Sequence, residues 1–378
     1  MQPKLHGTVP RRKADHAFAP VRGRIEIDMA RTFSSLADLL AHDFDTVIDV
    51  RSPAEFAEDH MPGAINLPAL DDAQRAEVGT VYVQDCPFNA RKMGAAMVAR
   101  NVADHIDQNL SAHEGGWRPL VYCWRGGQRS NSVASILSQI GWRAEVVDGG
   151  YRTFRRMVND MLYQKTLPHR VVLLDGNTGT AKTDILNRLH TRDVQVVDLE
   201  GLAGHRGSLL GLVGNAQPSQ KAFETELAVA FSKLDPARIV VLEAESSKIG
   251  ERCLPPSVWA LMCAAPRIVI EAPLAARATF LTHAYADMIA DPTALKERIE
   301  PLVRLRGHEA VGRWSNQIDS GEFTELAADL MATHYDPSYE KSRKIETRDI
   351  LATIRSETLD EADREHLADQ IATQISAL

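Results

Sequence analysis

The chain has 378 residues, 44% hydrophobic and 25% charged, the composition of an ordinary globular protein of two or three domains. Its 43 Lys and Arg against 51 Asp and Glu leave a net charge of −8, which as a total argues against a polyanionic partner. Four cysteines with no CxxC pair exclude a disulfide framework and a zinc site, while the absence of a signal-peptide core or a membrane-length apolar run makes a cytoplasmic, reducing location the expectation.

Residues 1–31 read as a loose basic arm. Residues 44–50 (FDTVIDV) and 119–123 (PLVYC) read as buried strands, with helical spacing over 86–108 between them. Residues 130–140 predict an amphipathic helix with Val133, Ile136, Leu137 and Ile140 on one face. A short strand over 144–147 closes at Asp148-Gly149-Gly150, and 158–168 reads as a linker helix ending at Pro168. A second alternation follows, with strands at 170–174, 239–242 and 267–270 and helices at 184–190 and 219–234. Beyond about Ala286 the pattern predicts helix throughout, ending in an acidic helix over 356–378. Strands alternating with helices predict an α/β fold with parallel sheets.

The first chemical site is the run Leu120-Val121-Tyr122-Cys123-Trp124-Arg125-Gly126-Gly127-Gln128-Arg129-Ser130. It places a cysteine at a strand end, then a loop with two glycines and two arginines, then a helix. Loop amides and a helix N-terminus can converge on one point and stabilise an anion there. Arg125 and Arg129 add positive charge, so Cys123 is expected to be a nucleophilic thiolate. Cys86, Cys253 and Cys263 have no such surroundings.

The second site is Asp175-Gly176-Asn177-Thr178-Gly179-Thr180-Ala181-Lys182-Thr183, between a strand and a helix. It reads as a Walker A phosphate loop, in which Gly176, Asn177, Gly179 and Thr180 shape the cradle, Lys182 reaches the terminal phosphate and Thr183 can ligate magnesium. Ala181 replaces the last glycine of the motif, so either it sits at negative φ or the loop is altered. Glu243 and Glu245 end the 239–245 run, and Glu243 is a candidate second magnesium acid. The Gly-rich segment 198–208, with Asp198, Glu200, His205, Arg206 and Ser208, reads as a substrate loop. Residues 335–339 form a compact polar-aromatic turn that can stack a base or cap a helix.

The run Asp49-Val50-Arg51-Ser52-Pro53-Ala54-Glu55-Phe56, then His60-Met61-Pro62-Gly63-Ala64-Ile65-Asn66, then the Cys123 loop, resembles the rhodanese family over 34–157. The resemblance implies that Cys123 carries a sulfur-group atom in a persulfide-type intermediate, with Asp49, Arg51 and His60 framing the loop. The spacing C-x5-R-S from Cys123 to Arg129 equally suits a cysteine phosphatase, in which the arginine clamps phosphate. The loop alone leaves both open.

Taken together, the Cys123 loop, 176–183, 198–208 and His334-Tyr335-Asp336-Pro337 resemble the tRNA 2-selenouridine synthase family over about 32–355. The implied architecture is a rhodanese-like parallel-sheet domain (32–157), the linker helix (158–168), and a P-loop NTPase-like α/β domain with a helical extension (169–355). The implied activity is a transferase acting on wobble 2-thiouridine of tRNA. Geranyl diphosphate alkylates the sulfur, and selenium from selenophosphate then replaces the geranylated sulfur. Cys123 would bear selenium as S-selanylcysteine, with Arg125 and Arg129 stabilising it. No tightly bound cofactor is implied, magnesium is a candidate through Thr183 and Glu243, and a selenophosphate-supplying enzyme is a candidate partner. A rhodanese-type sulfurtransferase coupled to a nucleotide-binding domain is the competing enzyme reading, and a regulatory rhodanese-like module the non-enzymatic one. Charge location supports an RNA partner: residues 91–156, around Cys123, carry ten basic and five acidic side chains, whereas 356–378 carry one and six.

Overall fold

The computed structural model describes residues 30–207, 211, 216–338 and 349–378. The expected arm over 1–31 falls outside these, apart from its last two residues, as do Ser208 and Tyr339.

The first domain is built on β1 (Ala30–Arg31), β2 (Thr46–Asp49), β3 (Ala64–Asn66), β4 (Pro119–Tyr122) and β5 (Glu145–Val147). They form one parallel sheet in the order β1-β5-β4-β2-β3. Central β4 is buried at all four positions. Its continuous apolar run is what a parallel strand covered on both faces requires. The second domain adds β6 (Arg170–Gly176), β7 (Gln195–Val197), β8 (Ile239–Glu243), the small antiparallel pair β9 (Lys248–Ile249) and β10 (Arg252–Cys253), β11 (Arg267–Glu271) and β12 (Ile350–Arg355). Its main sheet is also parallel, in the order β12-β11-β6-β8-β7. The two parallel-sheet α/β units and the helical part that were expected are the architecture the chain adopts.

Several elements differ from expectation. Helix does not run on unbroken past Ala286: β12 joins the sheet edge, pairing Ile354 with Ile270. The linker helix expected over 158–168 is instead the end of helix Gly150–Asn159 and a π-helical turn, Asp160–Gln164. Phe154 and Val158 of that helix are fully buried, so it packs into the core. The helix from Cys86 tightens into a π turn at Ile106–Leu110. Ile140 is exposed, and Ala134 completes the buried face of helix Gln128–Ile140 in its place. A helix absent from the sequence reading, Asp72–Gln84, starts with a capping box between Asp71 and Gln74.

A helical bundle, including Pro292–Ile299, Val303–Ser320 and Phe323–Leu330, packs around fully buried Trp314 beside the second sheet. The acidic C-terminal helix, Glu361–Ser376, lies on the phosphate-loop helix Lys182–His190. There Arg188 and Arg192 pair with Glu365, and Arg364 pairs with Asp184 at 2.8 Å.

Candidate functional site

Cys123 follows β4 and is 4% exposed. Its Sγ accepts the Gly127 amide at 3.3 Å and lies 3.3 Å from the Ser130 hydroxyl. Burial pushes the thiol up, but hydrogen bonds from the Ser130 side chain and the amides of Ser130, Arg125 and Gly127 outweigh it, leaving Cys123 below its ordinary value. The loop is held from behind. The first amides of helix Gly150–Asn159 donate to it, Tyr151 to the Cys123 carbonyl at 2.8 Å and Arg152 to the Trp124 carbonyl at 3.0 Å. Gly126 and Gly150 both have positive φ, +64° and +58°. A Cβ on Gly126 would lie 2.7 Å from the Val147 carbonyl, and one on Gly150 would lie 2.5 Å from the Gly126 amide. The Asp148-Gly149-Gly150 turn is therefore part of the cysteine site.

The two arginines part company. Arg125 is exposed at the rim of the cleft over Cys123. Arg129, on the same cleft, pairs with Glu55, its Nη1 3.0 Å from Oε2, which draws one arm of the fork a phosphatase would aim at substrate. Beneath the sheet, Arg51 is 1% exposed, bonded to Asp49 at 2.6 Å and to the Asp59 carbonyl, and stacked 3.9 Å from the Tyr151 ring. His60 stacks on Phe56 at 3.9 Å. These residues frame the loop and do not face its opening.

The phosphate loop spans the end of β6 and the start of helix Lys182–His190. Ala181 adopts φ +60°, so the loop keeps the left-handed turn that glycine ordinarily supplies. A Cβ on Gly176 would clash with Thr180 and the Ile270 carbonyl, and one on Gly179, at φ +85°, would lie 3.0 Å from the Arg277 carbonyl. The buried Thr180 hydroxyl donates to the Asn177 carbonyl at 2.8 Å. Lys182 Nζ donates to the Gly176 carbonyl at 2.9 Å, and the Thr183 hydroxyl to Glu200 Oε2 at 2.7 Å. Gly179, Thr180, Ala181, Lys182 and Thr183 border one cleft of about 840 Å³, which Glu200, Arg206 and Glu245 also line.

The segment expected to be a substrate loop is divided. Asp198 caps helix Leu199–Ala203. Glu200 reaches the cleft, where burial raises its carboxyl. His205 is half-buried and kept low by burial. Arg206 pairs with Asp287 at 3.1 Å and stacks on Tyr285.

Glu243 is fully buried and accepts the Leu199 amide at 2.9 Å. Burial, with Asp198 and Glu200 nearby, drives its carboxyl far above the usual range, and Glu243 does not border the cleft. Glu245 borders the cleft instead, raised to about 8 by burial and by the Glu200 carboxylate. Thr183, Glu200 and Glu245 form a hard-oxygen set whose crowded carboxylates suit a divalent cation.

Residues 169–300 match the tRNA 2-selenouridine synthase AAA domain, and residues 32–157 the rhodanese-like domain. The tRNA 2-selenouridine synthase of Cupriavidus pinatubonensis is 36% identical over 327 residues, covering 78% of this chain and 87% of the relative. The chain belongs to the tRNA 2-selenouridine synthase family. A relative of the same name from Salmonella enteritidis is 36% identical, covering 78% and 87% of the two chains, and one from Shewanella loihica is 31% identical, covering 78% and 86%.

In this family member the structure also gives the His334–Pro337 motif a place. Asp336 holds Arg277 through both its oxygens, at 3.0 and 2.8 Å, and accepts from Asn177 at 3.1 Å. Arg277 is 6% exposed and donates to the Thr178 carbonyl at 3.1 Å. The motif therefore braces the phosphate loop against the helical bundle. Sequence spacing cannot show this, because Asn177 and Asp336 are 159 residues apart. Glu245 was visible beside Glu243, but only burial tells the two apart.

Proposed function

We propose that this protein converts wobble 2-thiouridine of tRNA to 2-selenouridine in two steps. In the first, the 2-thio sulfur attacks C1 of geranyl diphosphate. The C–O bond breaks, diphosphate leaves with the electron pair, and the base gives up its N3 proton. In the second, the selenium of selenophosphate adds at C2, the C2–S bond breaks and geranylthiol leaves, and water then cleaves the Se–P bond, releasing phosphate. Alkylation matters because it turns a poor leaving group into a good one.

The observation that carries the reading is one chain holding both a cysteine in an amide cradle and a phosphate loop on a large cleft. The cradle suits an anionic Cys123 thiolate, or a selenium anion brought beside it. Lys182 and the loop amides suit a diphosphate leaving group. Magnesium at Thr183, Glu200 and Glu245 would neutralise charge on that diphosphate. The pairing of Arg129 with Glu55 disfavours a phosphatase.

Nucleoside mass spectrometry of tRNA tests the proposal. Lys182→Ala is expected to abolish geranylation, and Cys123→Ser to leave S-geranyl-2-thiouridine unconverted. Geranylation surviving in Lys182→Ala overturns the diphosphate assignment. Normal 2-selenouridine in cells lacking the protein overturns the whole reading.

A further inference from the structure

Beside the phosphate loop lies a second, smaller cavity of about 70 Å³. It runs between helix Leu274–Ala284 and the helical bundle, and Leu295, Phe323, Leu326, Ala327 and Leu330 are among its walls. Its lining is apolar apart from two threonines and two tyrosines. Thr178, Leu281, Tyr285 and Tyr335 border both this slot and the phosphate-loop cleft. The mouth is fixed in place, because Asp336, next to Tyr335, binds Arg277 and Asn177. Tyr335 also ends a π-helical turn, Met331–Tyr335, a distortion that recurs at functional sites.

We propose that this slot takes the distal end of the hydrocarbon chain of an allylic isoprenoid diphosphate. This rests on the diphosphate assignment made above. An apolar slot opening onto a phosphate cradle matches a ligand with a charged head and an apolar tail. Its size sets which part enters. An apolar cavity of about 150 Å³ holds a benzene molecule, so this slot accepts only the branched terminus. The carbons nearer the diphosphate then lie across Leu281 and Tyr285 in the wider cleft. The slot therefore reads chain length, while the phosphate loop reads the head.

Calorimetric titration of the full chain with inorganic pyrophosphate, dimethylallyl diphosphate (five carbons) and geranyl diphosphate (ten) tests this. The wild type is expected to bind geranyl over dimethylallyl diphosphate by roughly 10- to 100-fold. Ala327→Phe fills the slot and is expected to erase that preference while leaving pyrophosphate affinity unchanged. Phe323→Ala enlarges it and is expected to shift preference toward the fifteen-carbon farnesyl diphosphate. No chain-length preference in the wild type, or an unaltered preference in both variants, overturns the slot. Pyrophosphate binding that is unchanged in Lys182→Ala overturns the diphosphate assignment instead, so the two failures are distinguishable.

Discussion

Ser130 offers the most direct measure of the cysteine cradle. It is fully buried, and its hydroxyl sits between Cys123 Sγ at 3.3 Å and the Gly127 carbonyl at 3.1 Å. While Cys123 is a thiol, the hydroxyl can donate to that carbonyl; once Cys123 ionises, donation to sulfur is favoured. A hydrogen bond to a charged group contributes about 1.5–3 kcal/mol. Sulfur spreads its charge over a large atom, so the lower end applies. At 1.36 kcal/mol per pH unit, Ser130→Ala should raise the Cys123 ionisation midpoint by about one unit. Thiolate at a fixed pH below that midpoint then falls about tenfold. The assay is alkylation by iodoacetamide across pH, followed at the Cys123 peptide by mass spectrometry because Cys253 and Cys263 are also exposed to reagent. A Cys123 midpoint identical in the variant and the wild type would refute the cradle argument.

Three further outcomes follow from the same geometry. Gly150→Ala should cost about 2–5 kcal/mol in urea unfolding, from left-handed strain plus a clash with the Cys123 loop; an unchanged midpoint contradicts this. Asp336→Ala leaves the buried Arg277 guanidinium without its ion-pair partner, which should cost about 3–5 kcal/mol, and a loss below about 1 kcal/mol contradicts the bracing role. Burial and the Glu200 carboxylate push Glu245 up to about 8 in the fold, from an ordinary 4.5. Its folded form therefore retains a proton that the unfolded chain has released between those values. The stability it contributes is full below the lower value and lost as pH rises through the upper one. Glu245→Gln should flatten the stability profile over that interval, and an unaltered slope there would refute the assignment.

What the sequence revealed follows from how local each signal is. β4 and β6 were legible because a parallel strand buried on both faces must be a continuous apolar run. β12 was not, because it is an edge strand with Ile350 and Leu351 exposed, following a long helical stretch. Helix Asp72–Gln84 has no buried residue, hence no apolar stripe to read, and only its capping box marks it. The Cys123 loop and the phosphate loop are contiguous in sequence and stood out for that reason. The parts that complete them come from far along the chain: Gly150 behind Cys123, Glu55 on Arg129, Asp336 on Asn177. Their identities were readable; their distances were not.

The same long-range contacts decide how the two loops can cooperate. Asp59 of the first domain, 2% exposed, accepts the Tyr151 hydroxyl at 2.6 Å and the Thr225 hydroxyl at 3.1 Å. Thr225 belongs to helix Gln220–Ser232 of the second domain, and Tyr151 to the helix that holds the Cys123 carbonyl. Arg155 of that helix pairs with buried Glu224, and Lys221 with Glu58 at 2.6 Å. Around these contacts one apolar cluster runs from Leu120 and Phe154 to Phe223 and Phe231, through both domains. Domains that move against each other usually meet through small, polar surfaces. Here, separation would expose buried Phe154, Phe223 and Phe231 of that cluster to water, at about 1.5–3 kcal/mol for each side chain fully uncovered. A hinge bringing the Cys123 loop to the phosphate loop is disfavoured on that ground. If both proposed steps act on one base, the base then travels between the two sites, and a substrate on a flexible polynucleotide arm can do so.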